Sequence, residues 1–309
     1  MGITREDALD CFNSNDLIGI GMEADAVRRK LHPEGVVSYT IDGTIDYTAP
    51  GIYNKIEEIT TIGGTGITLQ GAVVSDHTVP WFETLFADIR KRYPNLWLHS
   101  LSATEILAIA HQSGLTLRDT IARLQAAGLD SIPGNDAGIL DDAVHQGSGS
   151  KCTTADWTAV HRAAHSLGMR TTATMAFGSG ETSVHRLNHL ETVRQIQEET
   201  GGFASFTPWS FQQNHAVPGF EEATAVEYLK TLAICRMFLD NIENVQSNLE
   251  TQGLKVLQVA LRFGGNDVGS VPLGQSTNAA TEEQLRQVIR DAGFKPVQRD
   301  TLFRTMFLN

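Results

Sequence analysis

Apolar residues along this chain follow two alternating rhythms. From Thr4 to about Leu31 they recur at helical spacing, and after that short β-rich runs alternate with amphipathic helical stretches. The runs Thr44–Thr48, Gly66–Gln70, Leu96–Ser100, Asp130–Pro133, Arg170–Ala176, Ala204–Trp209, Asn244–Leu249 and Asp267–Val271 predict strands. A helix is expected after each: Ile52–Ile62, Trp81–Tyr93, Ala103–Ala127 with an interruption near Gly114, Ala155–Leu167, Thr182–Glu199, Ala223–Asn241, Leu254–Phe263 and Glu282–Ala292. Thr153-Thr-Ala-Asp156 is a capping pattern at one of these starts.

Eight β-then-α units at this spacing predict an α/β fold, a (β/α)8 TIM barrel. A doubly wound sheet is the competing architecture. It wants a glycine-rich turn after its first strand, and Ala49-Pro50-Gly51 offers none. No linker or composition break divides the chain. Residues 1–309 therefore read as one barrel domain, with a helical N-terminal extension over 1–40 and a C-terminal tail over 296–309 that has room for a small strand.

Composition narrows the function. An apolar share of 41% and a charged share of 19% are those of a soluble globular protein. The net charge of −12 argues against a nucleic-acid partner, which needs a basic face. No run is apolar enough for a membrane span, and the first residues lack a signal-peptide core. A cytoplasmic protein with a small-molecule ligand fits best, and a homodimer is compatible with it. Cys11, Cys152 and Cys235 lie far apart and read as isolated free thiols.

Barrel chemistry sits at the C-terminal strand ends. The polar residues there are Asp46, Tyr47, Gln70, His99, Ser100, Asn135, Asp136, Ser179, Glu181, Ser205, Thr207, Gln246, Asn248, Glu250 and Asp267. Such a rim suits a polyhydroxylated or heteroaromatic ligand, although capping and turn roles explain single positions as well. His77, His99, His185 and His215 are expected near the rim. The pairs His185/His189 and His161/His165 have zinc-compatible i,i+4 spacing, but on barrel helices such pairs mostly pack, and no metal is assigned. No lysine lies on a strand to form a Schiff base, and nucleophile-elbow and Walker motifs are absent.

The segments GIGMEADAVRRKLHPEGVVSY, LHSLSATEI, AGLDSIPG, LGMRTTATMAFGSGET, TQGLKVLQVALRFGGNDVGS and DAGFKPVQRDTL resemble cyclic dehypoxanthinyl futalosine synthase. That family is the radical S-adenosylmethionine (SAM) cyclase of the futalosine route to menaquinone. The resemblance covers nearly the whole chain and implies a radical-SAM barrel with a nucleoside-like substrate. It also implies a Cys-x3-Cys-x2-Cys loop after the first strand, holding a [4Fe–4S] cluster that binds SAM and delivers the electron that splits it. Here that place reads Ala49-Pro50-Gly51, so the cluster loop is missing.

Other departures fall at the same barrel end. The family's Gly-Gly after strand two reads Gly71-Ala72, and its acidic turn after strand four reads Pro133–Gly138. A tryptophan-containing run after strand seven is replaced by Asn248-Leu249-Glu250, and the loop after strand eight is shortened to Pro272–Thr277. Only Phe177-Gly-Ser-Gly-Glu181 keeps its family form. A rewritten rim on an intact body points to a repurposed or engineered site without cofactor. Glu250, at an apolar barrel mouth, is the expected general base for lyase- or isomerase-type proton abstraction. His99 or Gln246 would donate to developing negative charge, and Trp209 or Tyr47 would stack a flat substrate. The alternatives are a non-enzymatic binder, an inert scaffold, or a cyclase that keeps its reaction despite the deleted loop.

Overall fold

The computed structural model describes residues 2–145, 152–211, 222–271 and 280–307. Two helices open the chain, α1 (Arg5–Asn13) and α2 (Leu17–Leu31). Thr4 and Asp7 cap α1 reciprocally, each side chain accepting from the other's backbone amide.

The chain then departs from the expected helical extension. It enters the barrel as β1 (Val36–Thr40), breaks step at Ile41 and continues as β2 (Asp42–Asp46). The first strand thus begins earlier than Thr44 and ends at Asp46. The remaining elements are α3 (Ile52–Thr61), β3 (Gly66–Gln70), α4 (Val79–Arg92), β4 (Trp97–Leu98), α5 (Ala103–Ser113), α6 (Leu117–Ala127) and α7 (Asp142–His145). After them come α8 (Thr154–Ser166), β5 (Thr171–Phe177), α9 (Ser183–Thr200), β6 (Phe203–Ser210), α10 (Ala225–Phe238), β7 (Asn244–Val245) and α11 (Leu249–Ala260). The chain finishes with β8 (Asp267–Ser270), α12 (Glu282–Asp291), β9 (Lys295–Arg299) and β10 (Met306–Phe307). Gly114 separates α5 from α6 in the left-handed conformation (φ +63°), a region where glycine has no side chain to clash.

Parallel arcs β2–β3–β4 and β5–β6–β7 are joined by single bridges, His99 to Ser131 and Gln246 to Asp267. The Thr172 amide donates to the Ile132 carbonyl (3.3 Å), and β8 pairs with β1. Because β1 runs on into β2, the ring closes as a (β/α)8 barrel. Its fourth position is a stub at Ser131, shorter than the expected Asp130–Pro133. The tail adds two strands: β9 lies parallel to β1, and β10 turns back antiparallel on β9.

Strand parity decides where the core sits. Outward residues such as Ile67, Leu69, Ala173, Met175 and Phe206 are fully buried against the helices. Inward residues are polar, including Thr40, Thr44, Thr68, Thr172, Thr174, Ser205 and Thr207. Most TIM barrels fill this space with branched apolar side chains. Here it is a cavity. At its floor Asp267 of β8 meets Arg299 of β9 in a bidentate pair (2.6 and 2.8 Å), with side chains 0% and 3% exposed.

Candidate functional site

Two continuous cavities occupy the C-terminal end of the barrel. The outer one, about 910 Å3, is bordered by Asp46, Glu105, Asp136 and Phe211. The lumen, about 710 Å3, is lined by the inward threonines together with His99, Gln246, Asn248 and Asp42. Gln70, Asn135, Thr174 and Trp209 border both, so one joins the other at that waist.

Of the residues expected from the sequence, the structure brings Gln70, His99, Thr207, Trp209, Gln246 and Asn248 to the lumen, and Asp46 and Asp136 to the mouth. His99 Nδ1 is covered and has no hydrogen-bond partner, while Nε2 lies 3.5 Å from the Thr172 hydroxyl. Burial, and then the nearby Arg299 charge, lower its pKa to about 4, so the ring is neutral at neutral pH. Asp46 accepts from the Thr48 hydroxyl and amide, which holds its carboxyl below the usual range.

Four expectations are corrected. Tyr47 is buried (3% exposed), with its ring edge-on to His77 and Phe82, and cannot stack a ligand. Ser100 is fully buried, and its hydroxyl accepts from the Leu69 amide. Glu181 is a brace: its covered carboxylate accepts from the Gly178 and Ser179 amides and pairs with Arg186 (2.7 Å). Burial raises its pKa, but these donors and the Arg186 charge outweigh burial and lower it overall. Glu250 is not at a strand end. It sits in the first turn of α11, after the cap residue Asn248, where it is exposed and borders the lumen from its rim.

Histidines expected near the rim do local structural work. His77 Nδ1 accepts from the Val74 amide, and His185 Nδ1 accepts from the Thr182 amide as part of the α9 cap. His189 Nδ1 accepts from the Leu140 amide. His215 and the Pro272–Thr277 loop lie outside the described residues. Among the described residues no group of three His, Cys, Asp or Glu is arranged to hold a metal.

Two carboxylates of the site, half-buried Asp42 and buried Glu105, escaped the sequence reading. Asp42 faces the lumen, where burial raises its pKa against the opposing pull of the Ser270 hydroxyl and Arg299. The alternation Thr40-x-Asp42-x-Thr44 is the signal for it, hidden once the strand is started at Thr44. Glu105 borders the mouth as the capping-box partner of Ser102, a spacing visible in Ser102-x-x-Glu105. Burial raises its pKa despite donors from the Ser102 amide (2.7 Å), the Tyr47 hydroxyl (2.8 Å) and the Gly71 amide (3.0 Å). Tyr47→Phe should cost about 1–3 kcal/mol by stripping one donor from this carboxylate, read as a lower urea midpoint. A midpoint unchanged from the parent would contradict that role.

The residues present do not fit a three-thiolate cluster. Between Asp46 and Ile52 the chain makes a tight turn, with Ala49 N–H donating to the Asp46 carbonyl (3.2 Å) and Gly51 left-handed (φ +85°) at the start of α3. That corner carries no thiol. Cys11 is on α1, Cys235 is buried within α10, and Cys152 precedes α8. Burial pushes the Cys152 thiol up to about 11 and raises the other two as well, the opposite of an iron-binding thiolate.

Fold and cavity together define a radical-SAM-type barrel. Methylornithine synthase (PylB) superposes with a TM-score of 0.67 at 13% identity, covering 96% of this chain and 94% of that one. HydG, a maturase of the [FeFe]-hydrogenase, superposes with a TM-score of 0.74 at 11% identity, covering 98% and 74%. The family model described as the CofH/MqnC C-terminal region matches residues 200–307. Cyclic dehypoxanthine futalosine synthase of Halalkalibacterium halodurans is 34% identical over 335 residues, 97% of this chain and 90% of the relative. The 5-amino-6-(D-ribitylamino)uracil–L-tyrosine 4-hydroxyphenyl transferase of Methanothermobacter thermautotrophicus is 38% identical over 346 residues, 98% and 94%. The chain belongs to the CofH/MqnC family. Both alignments exceed the chain's own 309 residues, so it lacks stretches that these relatives carry.

Proposed function

We propose that this barrel works without an iron–sulfur cluster, as a site for a flat, polyhydroxylated molecule of the nucleoside type. The observation that supports this most directly is the corner from Asp46 to Ile52, closed by a thiol-free turn beside a lumen that remains open and polar. Inward threonines, Gln70 and Gln246 offer donors and acceptors to ribose or polyol hydroxyls, and Trp209 at the waist offers a face to a planar ring. One relative's name contains a ribitylaminouracil, a flat ring with a polyol chain, which fits such a lining.

The chemistry left to this chain is proton transfer. Asp42 is the carboxylate best placed for it, since it lines the lumen and burial raises its proton affinity. Neutral His99 lines the same cavity. A purely binding role is the second reading, favoured by a lining made mostly of hydroxyl and amide groups rather than ionisable ones.

Anaerobic reconstitution with iron and sulfide should give no brown chromophore and no 5′-deoxyadenosine from SAM. Four bound irons with SAM cleavage would overturn the proposal. Proton transfer is read separately, as loss of deuterium from a carbon-labelled nucleoside. Asp42→Asn should abolish that exchange with binding retained, while Glu250→Gln should change it by less than about twofold. No exchange by the parent protein on any nucleoside that binds would leave the binding role.

A further inference from the structure

We propose that the barrel has a second, lateral binding site: a cleft through its own wall that takes a saturated hydrocarbon arm of the ligand held in the lumen. This rests on the lumen reading above. The wall is unzipped on one side. β8 pairs with β1 only as far as Thr40 and Ser270; at Asp42 the Ser270 hydroxyl bridges the strands, accepting from the Asp42 amide (3.3 Å) and donating to its carbonyl (3.1 Å), and beyond that β2 pairs with β3 alone. Over that seam, between α3 and the start of α11, lies a cavity of about 670 Å3.

The lining shows that the seam goes through. Asp42 and Thr44 face the lumen and border the cleft too, whereas Gly43 and Ile45 border it from the outer face of the same strand. Residues of opposite parity on one strand can line one cavity only where that cavity passes the strand's edge. Gln246 and Ser270 form the opposite lip and are likewise shared with the lumen.

The cleft differs in chemistry from the lumen. Its outer walls carry the aliphatic side chains Ile59, Ile62, Leu249, Val268 and Val271 and no aromatic ring, with Glu250 beside Leu249 on the α11 side. Ile62 is 50% exposed there, so an apolar surface stands open to solvent beside a polar cavity. Polar groups of a ligand belong in the hydroxyl-lined lumen, and a flat ring belongs at Trp209. What the cleft can bury is an alkyl chain, its free end near Lys55 and Glu58 at the exposed rim.

Calorimetric titration of the full chain with adenosine and with 5′-S-hexyl-5′-thioadenosine tests this. The hexyl compound should bind at least about tenfold more tightly, from apolar area removed from water. Ile62→Arg and Ile62→Glu should each remove that advantage and leave adenosine affinity unchanged; circular dichroism melts should match the parent, since Ile62 is exposed. Equal affinities with adenosine still bound would overturn the lateral site alone. An advantage that survives both substitutions would place the arm elsewhere and overturn it too. If neither compound binds, the lumen reading falls and the cleft with it.

Discussion

Asp267→Ala is expected to destabilise the fold by about 3–5 kcal/mol, the loss typical when one partner of a buried ion pair is removed. Asp267 and Arg299 are covered almost completely, and the carboxylate also accepts from the Ser38 hydroxyl (2.5 Å) and the Gly269 amide (2.8 Å). These bonds tie β8, β9 and β1 together at the place where the barrel closes. Without the carboxylate, the Arg299 guanidinium stays almost completely covered at the lumen floor, with the carbonyls of Asp300 and Thr301 to receive it. Urea denaturation of the variant checks this. The double substitution Asp267→Leu with Arg299→Met should recover most of the loss, because no bare charge remains. A single-variant loss below about 1 kcal/mol would show that water entering from the lumen solvates Arg299 and that the pair is not what holds the closure.

Between pH 6.5 and about 4 the protein should lose stability steeply as acid is added. Burial lowers the pKa of His99 to about 4, with Arg299 adding to the effect, and does the same to His165, with Arg162 adding. Burial, with His165 and His99 adding, lowers fully buried His161 well below its ordinary value. All three are neutral in the fold, while the unfolded chain protonates its histidines from near 6.5 downward. The unfolded state then binds more protons, so stability is intact above 6.5 and falls as pH drops toward the folded values. One imidazole moved from 6.5 to about 4 is worth on the order of 3 kcal/mol by pH 4; partly exposed His165 contributes less. Asp42 and Glu105, with raised pKa values, act in the opposite sense and soften the fall at its acid end. Thermal melts from pH 7 to 4.5 should show the decline, and His99→Gln should make it shallower. A flat profile in the parent would contradict the burial of these rings.

The barrel was legible because outward strand residues and helix faces are apolar at their proper periods, as in Arg170–Ala176 and Glu282–Ala292. Less legible were pieces held by context. β1 is hidden in a short run after His32-Pro-Glu-Gly35, and only its pairing with β8 and β9 makes it a strand. Asn244–Leu249 reads as one strand, but only Asn244–Val245 pair as β7; Asn248 is a cap, which carries Glu250 into a helix turn. In the site, small polar residues of one parity were readable, and His99, Gln70, Thr207, Trp209 and Gln246 fell where strand ends should put them. Tyr47 was not, because whether an aromatic at a strand end turns inward or packs under a neighbouring helix depends on side chains such as His77 and Phe82 that are remote in sequence.

The corner between β2 and α3 also bears on how the present state relates to its relatives. Thr48 and Gly51 are exposed and their turn is held by local bonds, so nothing in the packed layers depends on its length. Lengthening a surface connection costs only about 0.6 kcal/mol for each doubling. A graft of a dozen residues there would leave the scaffold standing, which makes this corner a place where the chain can be lengthened with the rest of the body left as it is.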